Sequence, residues 1–364
     1  MMMKSGEMPK GAGERLLALD ILRGLDMFFL TVVGPVMWAA GHAWKLPAWV
    51  QRQLTHVAWE GLTAWDLIMP WFIFMCGAAI PFALPKRLEA GRAGWRFWGH
   101  VLWRVAMLWV LGMVVQGNLL TLDWERISPY NNTLQTIAAG YLIGAVALLL
   151  PRVWMRIALA IGLMTSYGLL LACLGDYSET GNFAIQVERW LLPSSSDNYS
   201  WCLTTLMFGA MTLVGMLCTE LLRTKAFSAW RRLGTLAGAG FAVLGGGWLL
   251  GVWEPAIKRI FTVSFTLQAL GWGILALAAL YLLADVLRIR RGWGLLTLYG
   301  QHALMAYLVM ECFGAVLSYF VSILTQGVPH LLGEAHADYY PLIHALTMAA
   351  ILTWLLHDRA HHRR

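Results

Sequence analysis

Hydrophobic residues fall along this chain in long unbroken blocks, without the alternation of a half-buried strand or the one-sided stripe of a soluble helix. The blocks cover approximately 16–40, 62–84, 99–117, 133–150, 154–174, 202–222, 233–252, 262–287, 295–324 and 340–357. Each is close to the ~20 residues that a helix needs to cross a hydrocarbon core. They predict an all-α fold, a polytopic transmembrane helical bundle of about ten helices, with residues 1–364 forming a single domain. The ninth block is long enough to be tilted or broken and the fifth is interrupted, which leaves nine or eleven spans open.

Composition strengthens this reading. The chain is 59% hydrophobic and 13% charged, against roughly half and a quarter in soluble domains. The formal charge of +7 does not form a basic stripe with interleaved aromatics, so no nucleic-acid partner is expected. Charge placement speaks to topology instead, because Lys and Arg are retained on the cytoplasmic side. Lys4, Lys10, Arg15, Lys86, Arg87, Arg92, Arg96, Arg152, Arg156, Arg223, Lys225, Arg231, Arg232, Arg288, Arg290, Arg291, Arg359, Arg363 and Arg364 fall at one set of links. Lys45, Arg52, Arg126, Arg189, Lys258 and Arg259 fall at the other. This bias predicts both termini in the cytoplasm of a bacterial-type inner membrane, with lipids as the surrounding partner. Met1 to Glu14, polar and basic, precede an apolar run without a small-residue cleavage site and are expected to head a retained signal anchor. The five cysteines lack any spacing suited to zinc, so no metal is expected.

Charged side chains inside a bilayer are costly and default to a functional hypothesis. Asp20 and Arg23, three residues apart in the first block, share a helical face and are expected to pair, with Asp26 one turn deeper. Arg23 suits a phosphate entering from the cytoplasm or a structural ion pair. In THVAWEGLTAWDLIMPWFIF, His56 and Glu60 are four apart and on a helical turn would face the same way, Glu60 orienting the imidazole. Asp66 lies two turns deeper, and Pro70 predicts a kink with a free Asp66 carbonyl. Alternatively His56 sits at headgroup level with Trp59 and Trp65. Asn131, Asn132 and Gln135 enter the fourth helix with uncharged donors and acceptors, or cap it. Lys258 and Arg259 offer anion contacts or interface anchors, and His302, Glu311 and His344 are further intramembrane polar groups. The absence of an internal repeat disfavours a transporter.

The stretches RLLALDILRGLDMFF, HVAWEGLTAWDLIMPWFIFMCGAAIPFAL, KRLEAG and NNTLQTIAAGYL resemble the heparan-α-glucosaminide N-acetyltransferase family, in particular its bacterial relatives. A looser likeness follows in ETGNFAIQVERWLLP and KRIFTVSFTLQALGWGILALAALYLLADV. The resemblance implies a transmembrane acetyltransferase that takes acetyl-CoA from the cytoplasm and acetylates an amino sugar or glycan unit on the far side. It places the catalytic histidine at His56, to which the reading of the residues adds Glu60 and Asp66 as catalytic candidates. Asp20, Arg23, Asn132 and Gln135 would hold the donor, and Asp26, Trp59, Asn131 and Lys258 the acceptor; a homodimer is allowed. The neutral imidazole would serve as general base or as acetyl acceptor. This chain departs from the family at Gly34 and Glu60, where Asn is usual, at Thr136, where Arg is usual, and at DNYSW in place of D-P-E-G. A sugar transporter using the intramembrane Asp and Arg residues, or a catalytically degenerate family member, are the competing readings.

Overall fold

The computed structural model describes residues 16–88, 93–117, 119, 127–192 and 199–361. The Met1–Glu14 segment, the basic residues Lys4, Lys10, Arg15, Arg92, Arg126, Arg363 and Arg364, and Asp197 and Asn198 of DNYSW lie outside these residues.

Each hydrophobic block holds helix. α1 is α-helical over Leu17–Phe28, widens into a π turn over Phe29–Val33 and resumes over Gly34–Trp44. α2 spans Ile68–Ala83, α3 Trp95–Val115, α4 Thr133–Ala147, α5 Val153–Leu174 and α6 Thr205–Arg223. α7 spans Ala229–Leu250, and α8 spans Val263–Leu280 and runs on through a π segment, Tyr281–Val286. The ninth block is broken at His302 into α9, Gly294–Gln301, and α10, Ala303–Leu324; α11 spans Tyr340–His361. Eight of the helical stretches are long and apolar enough to cross a membrane. The other two blocks hold α4, which is shorter, and α1, which carries three charged side chains. Among the described residues the only extended pairing is an isolated bridge between Glu60 and Ile257.

Small residues let the inner helices touch. A Cβ added to Gly77 of α2 would lie 1.9 Å from the Thr212 carbonyl oxygen of α6, and one on Gly215 of α6 would lie 1.9 Å from that of Phe74. α1 and α9 meet the same way, an added Cβ at Gly24 falling 1.7 Å from the Leu296 oxygen and one at Gly300 falling 2.0 Å from the Asp20 oxygen. Lipid is as apolar as Leu, so such backbone contact, not burial from water, holds membrane helices together. α2, α6 and α8 form the buried interior, while α3, α5, α7 and α10 turn most of their surface outward.

The bundle has two chemically distinct ends. At one, basic side chains tie helix ends together: Arg156 bonds Glu220 and the Leu150 carbonyl, Arg223 the Pro81 carbonyl and Arg232 the Leu222 carbonyl. Asp285 accepts the free N–H of Ala18 at 3.0 Å and so caps α1. At the other, three links interlock. Trp59 donates its indole N–H to the Tyr177 carbonyl at 2.8 Å, Gly61 N–H bonds the Ala256 carbonyl at 2.8 Å, and Ser200 N–H bonds that of Arg259 at 2.9 Å.

Candidate active site

Residues 54–63, between a short helix at Ala48–Gln53 and the turn that opens α2, do not form a regular helix. Gly61 takes a φ of 124°, open to glycine and strained for other residues, and lets the chain run alongside residues 256–257. This corrects the expected helical face. His56 and Glu60 are not stacked on one turn; Glu60 is exposed, in extended backbone opposite Ile257. The same bridge carries Lys258 to His56.

The carboxylate that engages His56 is Asp66. A 3-10 turn, Ala64–Leu67, starts the second hydrophobic block, and Thr63 caps it. Asp66 Oδ2 accepts the Thr63 N–H at 3.2 Å and the Thr63 hydroxyl at 2.8 Å, a reciprocal capping box that fixes the carboxylate's direction. Its other oxygen, Oδ1, lies 2.7 Å from His56 Nδ1 and 3.3 Å from Lys258 Nζ, and Lys258 Nζ lies 3.1 Å from His56 Nδ1. Asp66 has no exposed side chain, whereas His56 is 56% exposed. The shortest contact places a proton on Nδ1, donated to Asp66, which leaves the Nε2 lone pair free. Lys258 then donates to Asp66. Burial pushes the Lys258 ammonium below its usual range, opposed by the Asp66 charge beside it.

Pro70 does not kink a helix. α2 begins at Ile68, so Pro70 lies in its first turn, where no backbone N–H is required.

His56 and Lys258 open into an outer cavity of about 250 Å³ whose wall includes Trp65, Tyr199, Trp201 and Glu311. Tyr199 and Trp201 stack at 4.4 Å, 18° from parallel. Trp201 is placed by Glu188, whose carboxylate accepts the N–H groups of Trp201 and Cys202, both at 2.9 Å. Burial raises the Glu188 carboxyl, the two N–H bonds opposing the shift. An inner cavity of about 360 Å³ contains Arg23 and Arg104 in an otherwise largely apolar wall of Met27, Met75, Leu108 and Ile137. The Arg104 guanidinium also sits 4.5 Å over the Tyr141 ring. Phe72, Thr133 and Tyr307 belong to the walls of both cavities, so the two spaces meet at these three side chains.

The remaining expected residues are distributed as follows. Asp20 pairs with Arg23 at 3.9 Å, and Arg23 faces the inner cavity. Asp26 is buried with one carboxylate oxygen unpartnered, and it lines neither cavity. Asn132 caps α4, accepting Leu134 N–H at 2.7 Å. Gln135 bonds the Pro129 carbonyl and the Asn131 N–H, each at 2.8 Å. These amides brace the entry to α4, and Thr133 between them faces the cavities. Trp59 is a strut between two links. Arg104 is recognisable from sequence as a cation inside a hydrophobic block, and Thr63 as the first residue of a Thr-x-x-Asp capping box; Phe72 and Tyr307 carry no comparable signal. At Gly34 an added Cβ would lie 2.1 Å from the Trp65 ring, so the indole occupies the space a larger residue would need.

No family model matches the chain. The human heparan-alpha-glucosaminide N-acetyltransferase is 28% identical over 139 residues, 37% of this chain and 19% of that protein. The mouse protein of the same name is 27% identical over 143 residues, 38% of this chain and 20% of its own length. The chain thus matches about a fifth of the length of these curated relatives. On this similarity and on its helices, the chain is a polytopic helical membrane protein that resembles the heparan-α-glucosaminide N-acetyltransferase family.

Proposed function

We propose that this protein transfers an acetyl group across the membrane, from acetyl-CoA admitted at the basic end to the amine of a sugar or glycan unit held beside His56. The observation that carries the reading is the pair of abutting cavities, with two guanidinium groups in one and a carboxylate-bound imidazole in the other. In this reading the basic end faces the cytoplasm, as the positive-inside rule directs.

The residues present fit the donor. Arg23 and Arg104 offer forked donors to phosphate. The Met, Leu and Ile wall around them suits the methylene and methyl groups of the donor's flexible arm, and Thr133, Gln301 and Tyr307 in the same wall offer partners to its amides. The donor supplies the reacting thioester carbonyl. Asp66 fixes the imidazole so that Nε2 takes a proton from the amine as the C–N bond forms and the C–S bond breaks, the sulfur leaving as the thiol after protonation. The developing imidazolium is balanced by Asp66, whose Oδ1 also meets Lys258 while Thr63 holds its Oδ2. Nε2 is equally the atom that would carry the acetyl group in a two-step route, which ping-pong kinetics distinguish from direct transfer.

Acetyl-CoA is expected to raise the melting temperature of the purified protein saturably, and His56→Ala to retain that shift while losing glucosamine acetylation by about a hundredfold or more. Wild-type turnover in His56→Ala rejects the site. Absence of a shift in wild type, together with counterflow of labelled glucosamine in vesicles, replaces the transferase with a transporter.

A further inference from the structure

Glu311 lies near the middle of α10, a helix of 22 apolar-rich residues, and lines the outer cavity together with His56 and Lys258. Among the described residues no hydrogen bond or ion pair engages it. Asp66 is bound by His56, Lys258 and Thr63, Asp20 by Arg23, Glu188 by two N–H groups and Asp285 by one. Asp26 also keeps an oxygen without a partner, but it lines neither cavity, whereas Glu311 faces the outer one. A carboxylate at membrane depth without a protein counter-ion is expensive, and its charge is compensated most directly by a ligand.

The charge count of the cavity says which sign that ligand carries. Lys258 and Asp66 neutralise one another across 3.3 Å, and His56, which donates Nδ1–H to the same carboxylate, adds no charge as the base of the proposed transfer. Lys258, Glu311 and the imidazole are the ionisable side chains of acidic or basic type in the wall, so Glu311 leaves one negative charge unbalanced. The stacked rings of Tyr199 and Trp201 give the same cavity a flat aromatic wall. Such a wall packs against the C–H face of a pyranose ring, which is apolar and carries slightly positive hydrogens that the ring's negative face attracts.

We infer that the outer cavity binds an amino-substituted pyranose through its protonated amine, with Glu311 as the counter-ion and Tyr199 and Trp201 as the ring platform. Glu311 is then a positioning residue that selects an acceptor carrying an ammonium group over a neutral sugar of the same size; the bound ammonium releases one proton to water before the free amine attacks, and His56 takes the second. The assignment deepens the transferase reading, but binding at this site does not require transfer.

The test uses the full chain in detergent without acetyl-CoA, titrated with glucosamine, glucose and N-acetylglucosamine and followed by thermal shift. Wild type is expected to bind glucosamine about tenfold or more tightly than glucose, the usual worth of one charge-assisted hydrogen bond. N-acetylglucosamine, which has lost the charge, should fall to the level of glucose. Glu311→Gln should bring glucosamine down to that level and raise its KM in turnover more than it lowers kcat, while Glu311→Asp restores part of the preference. Stabilisation by acetyl-CoA, read separately, should be the same in all three proteins. Equal binding of glucosamine and glucose by wild type overturns the inference, as does undiminished preference in Glu311→Gln. A Glu311-dependent glucosamine preference in a protein that shows no acetyl-CoA shift upholds the amine site and rejects the transferase.

Discussion

Two groups of opposite charges in this protein are built on contrasting principles. Asp20 and Arg23 are three residues apart on one helix, partly exposed, and separated by 3.9 Å. Asp66, His56 and Lys258 come together from 10 and 202 residues apart, within 3.3 Å of one another, around a carboxylate with no exposed surface. The first is a product of helical spacing alone and exists wherever that helix exists. The second exists only in the assembled fold, and its buried carboxylate and ammonium are tolerable only because they face one another. A pair of the first kind is free to trade its partner for a ligand, whereas a cluster of the second kind holds a reacting group still.

The largest effect expected from breaking this contrast is that of Asp66→Asn. It removes the acceptor of the His56 proton and strands Lys258, and should cut transfer by about a hundredfold or more and stability by ~3 kcal/mol, read as turnover and as a fall in melting temperature. Its pH dependence has a definite sign. With burial depressing the Lys258 pKa and the Asp66 charge gone, the unfolded chain binds the proton more readily than the folded one. Stability should therefore rise as pH increases from the lowered folded pKa toward the ordinary value of 10.5. The double variant Asp66→Asn, Lys258→Met should regain most of the stability and none of the activity, because no buried charge is left unpaired. Arg23→Ala should leave the fold intact and weaken stabilisation by acetyl-CoA by roughly tenfold, the contribution of one charge-assisted phosphate contact. Smallest is Asp20→Asn, expected to shift stability by less than about 1 kcal/mol, as for other partly exposed pairs.

The same contrast explains what could be read in the sequence. Hydrophobic block length located α1 to α11, though not the short helices of the links such as Ala48–Gln53, and of the two readings of the long ninth block, tilted or broken, the structure shows the break, at His302. The Asp20–Arg23 pair and the Asn132 cap follow from spacings of three and two residues, and both are seen. The pairing of His56 with Glu60 also rested on local spacing, and it failed because Gly61 and the bridge to Ile257 pull residues 54–63 out of a helix. Asp66 was identifiable as an intramembrane charge, but not as the partner of His56. The contact with Lys258 spans 202 residues, and no periodic pattern in a single chain reports a contact at that range. Gly34 was visible as a missing amide; that an indole from Trp65 fills its space depends on how α1 lies against residue 65.

The junction of the two cavities at Phe72, Thr133 and Tyr307 also bears on the membrane's energy supply. A passage wide enough for a polar reactant and wetted from both sides would let protons and small ions leak down their gradients. Two aromatic side chains in the wall that the cavities share discourage a continuous file of water, as hydrophobic gates in channels do by dewetting. Phe72 and Tyr307 would then determine the electrical resistance of the protein as well as the reach of its chemistry.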